Sequence, residues 1–594
     1  MKRVFSSVLL SLSALILCAA PSLGQVQGEL PREAPDDPPG VVAYPPVTSA
    51  PAAASVGGFQ SMQVNVDIHG NNIVGDAANE PSIAVDPTDP SRIVIGWRQF
   101  DSITSNFREA GWAYSHDSGI TWRSGTLDNG NFRSDPVLDF ASDGTIYYDS
   151  LEGDFTTDLY RSETSGVSWL PPVPKGGGDK EWMAVDRTTG PGAGNLYFAW
   201  NTAAGCCGPN TFNRSIDGGD TYAPATQVGV IFGTLAVDPF GVLYVAGVQS
   251  SFSDTRVARS VDAELGVPAP TFVVNPAPLG GSMAFSSGPN PGGLLGHVDV
   301  ETAPSVGPTA GQVYLLCSVD PPGPDPLDVH FIRSLDGGQT WSAPVRVNDD
   351  APGTNAWQWF GTMSVAPTGR IDVIWNDTRN SPSASLSELH YSSSTDGGVT
   401  WTPNVAASPA FDHSLGYPQQ NKLGDYYDMV SDDVGAHVAW AATFNGEQDV
   451  YYLRIGQQDC NGNGITDAFD ILLGTSLDDD GNGVPDECEE LVLSKISPGL
   501  TGQVNSIHVT RASPSGSVYL LLGTVPANLP IGPCPGEFLG MLNPVIVGPL
   551  TTDPTGHITL SGSVGPAISG ATVLTQAIEL ATCNVSPTVS TTFP

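Results

Sequence analysis

Short runs of Val, Ile, Leu and aromatic residues recur between residues 62 and 455, and segments rich in Gly, Pro, Asp and Asn separate them. Apolar runs of this length between turn-forming segments are typical of β-strands. Similar runs occur at 93–97, 146–148, 196–200, 243–246, 313–316, 371–375 and 437–440. Most of them follow a second run, at 81–85, 136–140, 182–185, 233–237 and 362–365. The pattern predicts an all-β region built from a repeated unit of strands.

An eight-residue motif recurs within the same region. Full copies read SHDSGITW at 115–122, SIDGGDTY at 215–222, SLDGGQTW at 334–341 and STDGGVTW at 394–401. Degenerate copies lie at 162–169 and from 260 to 262. We expect the Asp to accept backbone N–H bonds inside a tight turn, the Gly to adopt a positive φ, and the aromatic ring to pack between sheets. The motif therefore predicts a structural turn.

These copies resemble the Asp-box, or BNR, repeat of sialidase-like β-propellers. The resemblance implies that each motif closes a hairpin between two outer strands, away from the ligand face. Adding that hairpin to the two repeated runs gives four-stranded blades. Seven blades are the favoured count and six the alternative, with the propeller spanning residues 59–456. A strand at 62–68 is expected to complete the final blade beside 450–455 and close the ring.

In a propeller, the loops that enter the innermost strands line a central funnel. The residues there are rich in acids and aromatic rings, a combination that suits sugar binding. We expect Glu181 and Asp135 as an acid/base pair, and the sialidase resemblance implies Tyr426 as a nucleophile. The predicted ligand-binding residues are Glu80, Arg98, Lys180, Glu301, Trp357, Trp359, Arg379 and Asp425.

The sialidase resemblance also implies an arginine triad and an Arg-Ile-Pro motif, and the sequence contains no Arg-Ile-Pro. The favoured function is therefore binding of carbohydrate or another extracellular ligand. A glycoside hydrolase using the funnel carboxylates is the first alternative. A structural or adhesion scaffold is the second, favoured if side chains plug the funnel.

The N-terminal residues predict export. Lys2 and Arg3 precede an apolar stretch at 8–20 and the small-residue segment 22–24, which together form the pattern of a signal peptide over 1–24. Residues 25–58 are rich in Pro and Ala and predict a linker. No other apolar run approaches the roughly 20 residues of a membrane span. The expected location is secreted or at the cell surface.

The formal net charge of −39 narrows the range of partners. Phosphate backbones and anionic membrane surfaces are repelled, so a nucleic-acid partner is not expected. Cations, neutral glycans and basic partners stay compatible with this charge.

Two twelve-residue loops, 459–470 and 478–489, predict calcium binding because their oxygen-bearing residues follow EF-hand spacing. The ligands of the first loop are Asp459, Asn461, Asn463, Asp467 and Asp470, with the carbonyl of Ile465. Those of the second are Asp478, Asp480, Asn482, Asp486 and Glu489, with the carbonyl of Val484. The segment 457–490 resembles the EF-hand-like loops of dockerins and thrombospondin type 3 repeats and implies two Ca²⁺ ions. Its short spacer departs from dockerins, so a cohesin partner is not expected.

The remaining residues, 491–594, predict a small β-sandwich-like domain. Disulfides are compatible with export. Candidate pairs are Cys460 with Cys488 and Cys534 with Cys583, while Cys206 and Cys207 form either a vicinal disulfide or two thiols.

Overall fold

The computed structural model describes residues 46–456 except 203 and 382–384, positions 471, 474–476 and 485, and residues 491–594 except 514, 532–533, 535–537, 555 and 582–583. The predicted all-β class is confirmed, because these residues form strands and almost no helix, the 3₁₀ turn Pro566–Ile568 being a brief exception. The many small antiparallel sheets fit a β-propeller.

Seven sheets of three to five strands follow one another along residues 53–455 of the described chain, which up to residue 456 also has two separate two-stranded pairings, Thr48–Ser49 with Asn72–Ile73 and Phe285–Ser287 with Asn290–Leu294. Sheet 1 contains Ala77–Val85, Ile93–Phe100, Glu109–Ser115 and Arg123–Leu127. Sheet 2 contains Arg133–Phe140, Ile146–Glu152, Thr157–Ser162 and Val173–Pro174. Sheet 3 contains Trp182–Val185, Leu196–Ala199 and Phe212–Ser215. Sheet 4 contains Leu235–Val237, Leu243–Val248, Thr255–Ser260 and Val273–Pro276.

The remaining three sheets continue this pattern. Sheet 5 contains Asp299–Thr302, Val313–Asp320, Asp328–Ser334 and Val345–Arg346, with Ser282–Met283 added to its second strand. Sheet 6 contains Gln358–Val365, Ile371–Asp377, Leu386–Ser394 and Val405–Ala406, with Phe411–Asp412 added to its third strand. Sheet 7 contains Asp428–Ser431, Ala436–Ala442, Asp449–Ile455, Phe59–Gln63 and Ala53–Val56.

The first strand of each sheet, called here the inner strand, contacts the inner strand of the next sheet, and that of sheet 7 contacts that of sheet 1. Hydrogen bonds from side chains reinforce these contacts. At six of the seven junctions, a side-chain oxygen on one inner strand, or on the residue just before it, accepts an amide N–H from the next inner strand. The pairs are Ser82 with Leu138, Asp139 with Val185, Thr234 with Val300, Asp299 with Met363, Ser364 with Ser431, and Asp428 with Ile83, at 2.8–3.0 Å.

Residues from the two ends of this region share sheet 7. Phe59–Gln63 pairs with Asp449–Ile455, which places Ser61 opposite Leu453. The strand that closes the ring therefore begins earlier than the predicted 62–68. Ala53–Val56 pairs with Phe59–Gln63 in turn, so a hairpin occupies the end of the segment predicted as linker.

The four full motifs form the turns that their sequence predicts. In the first, the amide of Thr121 donates to Asp117 at 2.9 Å, the amide of Gly119 donates to Ser115 at 2.9 Å, and Gly119 has a φ of 89°. The ring of Trp122 then packs against Tyr452 of sheet 7, with 5.1 Å between centroids. The motif is thus a turn that also contacts the neighbouring sheet.

Residues beyond 490 form three further small sheets. One contains Val492–Leu493, Val504–Thr510 and Ile558–Ser563. A second contains Val545–Thr551, Ser517–Gly523, Thr572–Glu579, Asn584–Val585 and Val589–Thr592. The third is the hairpin of Pro526–Pro530 and Phe538–Met541. Two buried clusters form their core, one that includes Leu491, Ile507 and Val518 and one that includes Leu521, Met541 and Ile578.

Candidate functional site

The inner strands line up when they are aligned on their last residue, which in each sheet pairs with the first residue of the following strand. Val85 faces Ile93 in this way, and Thr302 faces Val313. Side chains on a strand alternate between its two faces. Counting back one and three residues from that last position gives two layers of side chains, and the residues five positions back, four of which precede their strands, form a third.

We name the layers by their depth. The plug layer contains Glu80, Asp135, Lys180, Phe232, His297, Phe360 and Tyr426. The middle layer contains Ser82, Val137, Trp182, Thr234, Asp299, Thr362 and Asp428. The mouth layer contains Ala84, Asp139, Ala184, Ala236, Glu301, Ser364 and Val430.

Exposure rises from the plug layer to the mouth layer. Every plug-layer residue is at most 5% exposed, whereas Asp139, Glu301 and Val430 of the mouth layer are partly exposed. The axial space thus opens where the inner strands end. This end is opposite to the predicted funnel. The Asp-box turns lie at the same end, because Ser115, which begins the first motif, pairs with Ile93, and Ile93 pairs with Val85 at the end of the inner strand.

The plug layer has unusual backbone geometry. Glu80, Asp135, Lys180, Phe232 and Phe360 all have positive φ, between 46° and 61°. Non-glycine residues rarely adopt this conformation, and a surrounding structure must hold them there. In sheets 1 and 6 the pairing register also shifts at this point, as in a β-bulge. The bulges turn these side chains into the closed end of the ring.

Six of the predicted ligand-binding or catalytic residues meet in the plug: Tyr426 and five others whose charges are paired. Lys180 Nζ lies 2.6 Å from Asp425 and 3.7 Å from Asp135, and Arg98 Nε lies 3.1 Å from Glu80. Lys422 joins the two parts of this cluster, at 2.6 Å from Asp425 and 3.2 Å from Glu80. These side chains are at most 5% exposed.

The titration of the plug follows from its burial. Burial raises the pKa of Glu80 to about 7, although Arg98 and Lys422 oppose the shift. For Lys180, burial alone would lower the pKa, but Asp135, Asp425 and Glu80 outweigh it and raise the pKa well above its ordinary value. Buried charges are tolerated in proteins when they are paired in this way.

Two loops cover the plug from outside. The hairpin of Phe285–Ser287 and Asn290–Leu294 contacts the segment 413–425. The amide of Gly292 donates to Asn421 O at 2.8 Å, the amide of Leu294 donates to Asp425 Oδ1 at 2.6 Å, and Asn290 Nδ2 donates to Gly424 O at 2.8 Å. The predicted site residues of the plug therefore form a covered interior cluster.

The other predicted residues lie apart from that cluster. Glu181 belongs to a separate buried group, in which Lys175 Nζ contacts Glu181 and also lies 3.2 Å from Asp149. Burial and the charge of Asp149 raise the pKa of Glu181 to about 8. Asp135 and Glu181, the predicted acid/base pair, thus contact different lysines.

In sheet 6, Trp359 is fully buried and donates from Nε1 to Ser387 at 3.2 Å. Arg379 pairs with Asp377 at 2.8 Å. Trp357 packs beside Gly288 of the covering hairpin. The OH of Tyr426 donates to the carbonyl of Pro136 at 3.1 Å, and burial raises its pKa well above the ordinary value.

Below the plug is a cleft whose space, counted together with the part open to solvent, is about 490 Å³. We call it the axial cleft. Its polar and aromatic lining comes mainly from the middle layer and its neighbours: Trp182, Thr234, His297, Asp299, Glu301, Thr362, Tyr426, Tyr427 and Asp428. Of these residues, the sequence predicts Glu301 as a ligand-binding residue and Tyr426 as a catalytic residue.

Aromatic rings form the inner end of the axial cleft. Trp182 lies edge-on to His297 and to Tyr426, with centroids 5.7 and 5.2 Å apart, and His297 lies 5.2 Å from Tyr426. His297 is 5% exposed, and neither of its ring nitrogens has a hydrogen-bond partner among the described residues. Burial lowers its pKa to about 4, so the ring is neutral near pH 7.

Three carboxyl groups line the same cleft. Asp299 accepts bonds from Thr234 Oγ1 at 3.0 Å and from the amide of Met363, and burial raises its pKa to about 6. Asp428 accepts bonds from Ser82 Oγ and the amide of Ile83, and burial raises its pKa to about 7. Burial and the charges of these two groups raise the pKa of Glu301 well above its ordinary value.

The sequence contains an indication of this site, a recurring polar or aromatic residue near the end of the inner strands, which the assignment of strands does not by itself reveal. Six of the seven inner strands have a polar or aromatic residue three positions before their end, and Val137 of sheet 2 is the exception; five of the six line the cleft: Trp182, Thr234, Asp299, Thr362 and Asp428. The end of each inner strand must be known before these positions can be aligned, and sequence patterns give strand ends poorly.

The predicted calcium ligands at 459–470 and 478–489 lie outside the described residues. In the part of the chain that is described, no three His, Cys, Asp or Glu side chains are grouped so as to hold a metal ion. Cys206 and Cys207 are joined as a vicinal disulfide, and Cys317 is a buried thiol. No helix among the described residues is long and apolar enough to cross a membrane.

No family model matches this chain, and no curated protein matches it. Among solved structures, it is similar to a protein of unknown function from Dyadobacter fermentans, at 14% identity and a TM-score of 0.38, covering 67% of this chain and 100% of the other. It is similar to the sialidase of Trypanosoma rangeli, solved with sialic acid, at 13% identity and a TM-score of 0.35, covering 89% and 87%. A PL25 ulvan lyase matches at 12% identity and a TM-score of 0.31, covering 72% and 94%. Likeness at this level carries no inference about function.

Proposed function

We propose that this protein is an exported seven-bladed β-propeller that binds carbohydrate in the axial cleft. The observation that carries the proposal is the composition of the cleft, where Trp182 and Tyr426 stand beside His297 and three carboxyl groups. Ring faces pack against the apolar faces of sugars, and polar groups with free hydrogen-bonding capacity orient sugar hydroxyls. His297 supplies that capacity, because its buried ring nitrogens have no partner in the described chain.

Seven blades, rather than six, follow from treating each of the seven inner strands as the start of one blade. The contact between the inner strands of sheets 7 and 1 supports a single closed ring. Export rests on the signal pattern of residues 1–24, and calcium in the tail rests on the spacing of the two loops within 457–490. In this proposal the ions stabilise the tail and do not take part in binding sugar.

Hydrolysis is the second candidate, and the raised pKa of Glu301 favours it, since a general acid must hold a proton near neutral pH. A glycosidase also needs a second carboxylate as base or nucleophile. Asp299 and Asp428 both accept hydrogen bonds from the neighbouring inner strands, which occupies them in holding the ring together. Binding without turnover therefore fits the cleft better than catalysis.

A scaffold role is the third candidate, and it draws support from the plug, which fills the end of the ring predicted as a funnel. The open axial cleft at the other end argues for ligand binding in addition to any scaffold role.

The test is a glycan array probed with the purified protein in calcium, followed by titration calorimetry with the sugars that bind. Trp182→Ala removes an aromatic wall, and Glu163→Gln is a control at an exposed position in a degenerate motif turn. We expect Trp182→Ala to weaken binding at least tenfold and Glu163→Gln to leave it within twofold. Equal binding by both variants would remove the axial cleft as the site, and turnover of fluorogenic glycosides by the wild type would favour the hydrolase instead.

A further inference from the structure

The axial cleft has charges of one sign. Its lining contains the carboxyl groups of Asp299, Glu301 and Asp428, and it contains neither Lys nor Arg. Arg187 stands near the rim, but its guanidinium pairs with Asp139 and its Nε donates to the carbonyl of Phe140 at 2.7 Å. The positive charge of Arg187 is therefore already compensated, and the charged groups left in the cleft are acids, which burial keeps partly protonated near neutral pH.

Glu301 differs from the other two acids in having few partners. Asp299 and Asp428 each accept bonds from a hydroxyl and from a backbone amide of an adjacent sheet. Glu301 lies in the mouth layer, is partly exposed, and forms no ion pair within the described chain. The amide of Thr302 is its hydrogen-bond donor. Its carboxyl oxygens are thus available to a ligand that enters the cleft.

His297 is a second and independent sign of a ligand at this place. His297 is only 5% exposed and lines the cleft, and neither of its ring nitrogens has a hydrogen-bond partner among the described residues. A buried polar group without a partner costs free energy, which a ligand hydroxyl would recover. Because the imidazole is neutral near pH 7, it adds no positive charge to the cleft.

We propose that the axial cleft selects sugars that carry a protonated amino group, and that Glu301 is the carboxylate that receives the ammonium. An entering ammonium displaces into solvent the proton that burial holds on Glu301, donates strong hydrogen bonds to the resulting carboxylate and compensates its charge. A sugar carboxylate would bring a further acid beside these three, and a neutral N-acetyl group would leave Glu301 in its protonated form. This inference rests on the proposed function and specifies the class of sugar for the same site.

The experiment compares two ligands that differ only in acetylation, the trimers of glucosamine and of N-acetylglucosamine, with a sialylated trisaccharide as the anionic case. Calorimetry is done at pH 6, where the amine is protonated, and in 0.15 M NaCl, which screens the net charge of the whole chain beyond roughly 8 Å. The proteins are the wild type, Glu301→Gln, and Glu163→Gln as a control with the same loss of charge on the surface. Thermal unfolding checks that all three are folded.

We expect the wild type and Glu163→Gln to prefer the amino trimer at least tenfold over the acetylated trimer. Glu301→Gln should bring the two affinities within about twofold while it still binds the acetylated form. Equal affinities in the wild type would overturn the inference and leave carbohydrate binding intact. A preference that persists in Glu301→Gln would overturn the role of this residue. Absence of binding to every sugar, here and on the array, would instead remove the proposed function itself.

Discussion

The carboxylate of Asp428, on the inner strand of sheet 7, accepts a hydrogen bond of 2.7 Å from the hydroxyl of Ser82, on the inner strand of sheet 1. The same oxygen accepts the amide of Ile83 at 3.0 Å. These two bonds join the last sheet to the first. Ser82 in turn accepts the amide of Leu138 in sheet 2, so the bonding continues around the axis.

Asp428→Ala is expected to destabilise the ring at its closure. The substitution leaves the amide of Ile83 and the hydroxyl of Ser82 without their acceptor, and buried donors without partners cost about 1–3 kcal/mol each. Chemical unfolding monitored by tryptophan fluorescence would measure the loss. Asp433→Ala, at an exposed position in the turn between the first two strands of sheet 7, should change stability by less than about 0.5 kcal/mol. An equal effect of the two substitutions would contradict the closing role of Asp428.

Stability should be greater at pH 5 than at pH 8. Burial raises the pKa of Asp299 to about 6 and those of Asp428 and Asp449 to about 7. The folded chain therefore holds protons that the unfolded chain releases above about pH 4, so the free energy of unfolding falls as pH rises through this window. Thermal unfolding at a series of pH values would show the trend.

Two variants distinguish this effect from the weaker repulsion among the surface acids of the whole chain at low pH. Asp428→Asn should flatten the pH profile, because it removes one of the raised groups, whereas Asp433→Asn should leave the profile unchanged. The motif acids Asp336 and Asp396, with pKa values lowered to about 2 by hydrogen bonds in their turns, lose their stabilising effect only in strong acid. A melting temperature that is higher at pH 8 than at pH 5 would refute the prediction.

Lys175→Met should cost about 3–5 kcal/mol of stability, because it leaves Asp149 and Glu181 buried without their cation. Adding Asp149→Asn to that variant should recover part of the loss, since it removes one of the uncompensated charges. Glu181→Gln alone should be mild and should leave sugar binding unaltered, because Glu181 faces Lys175 and not the axial cleft. Loss of binding in Glu181→Gln with full stability would restore the functional role predicted for this residue.

Calcium titration should give two binding events in the tail. Asp459→Ala and Asp478→Ala each remove the first ligand of one predicted loop and should each abolish one event. Asp479→Ala changes an acid at a position of the second loop that contributes no ligand, and both events should persist. Calorimetry is the measurement, and the absence of heat from the wild-type protein would exclude the calcium sites.

The order of the strands and the position of the turns could be derived from the sequence because they depend on local interactions. Alternating apolar runs predict strands, and Ser115, Asp117 and Gly119 lie close enough in the chain to fix their turn without any distant contact. The repetition of such units predicted a ring of small sheets. The same local reasoning gathered Glu80, Asp135, Lys180 and Asp425 into one group.

The tertiary structure decided which end of the ring is open. Two covering loops, distant in sequence, pair through Gly292 and Asn421 and enclose the paired charges. The bulges at Glu80 and Phe360 turn side chains towards the closed end, and sequence periodicity does not reveal a shift of one residue in register. Trp182, Asp299 and Asp428 come from three different sheets and share a cleft only when the ring is closed. Which carboxyl groups stay buried and paired and which face a ligand is therefore set by packing between distant segments, which the linear pattern does not encode.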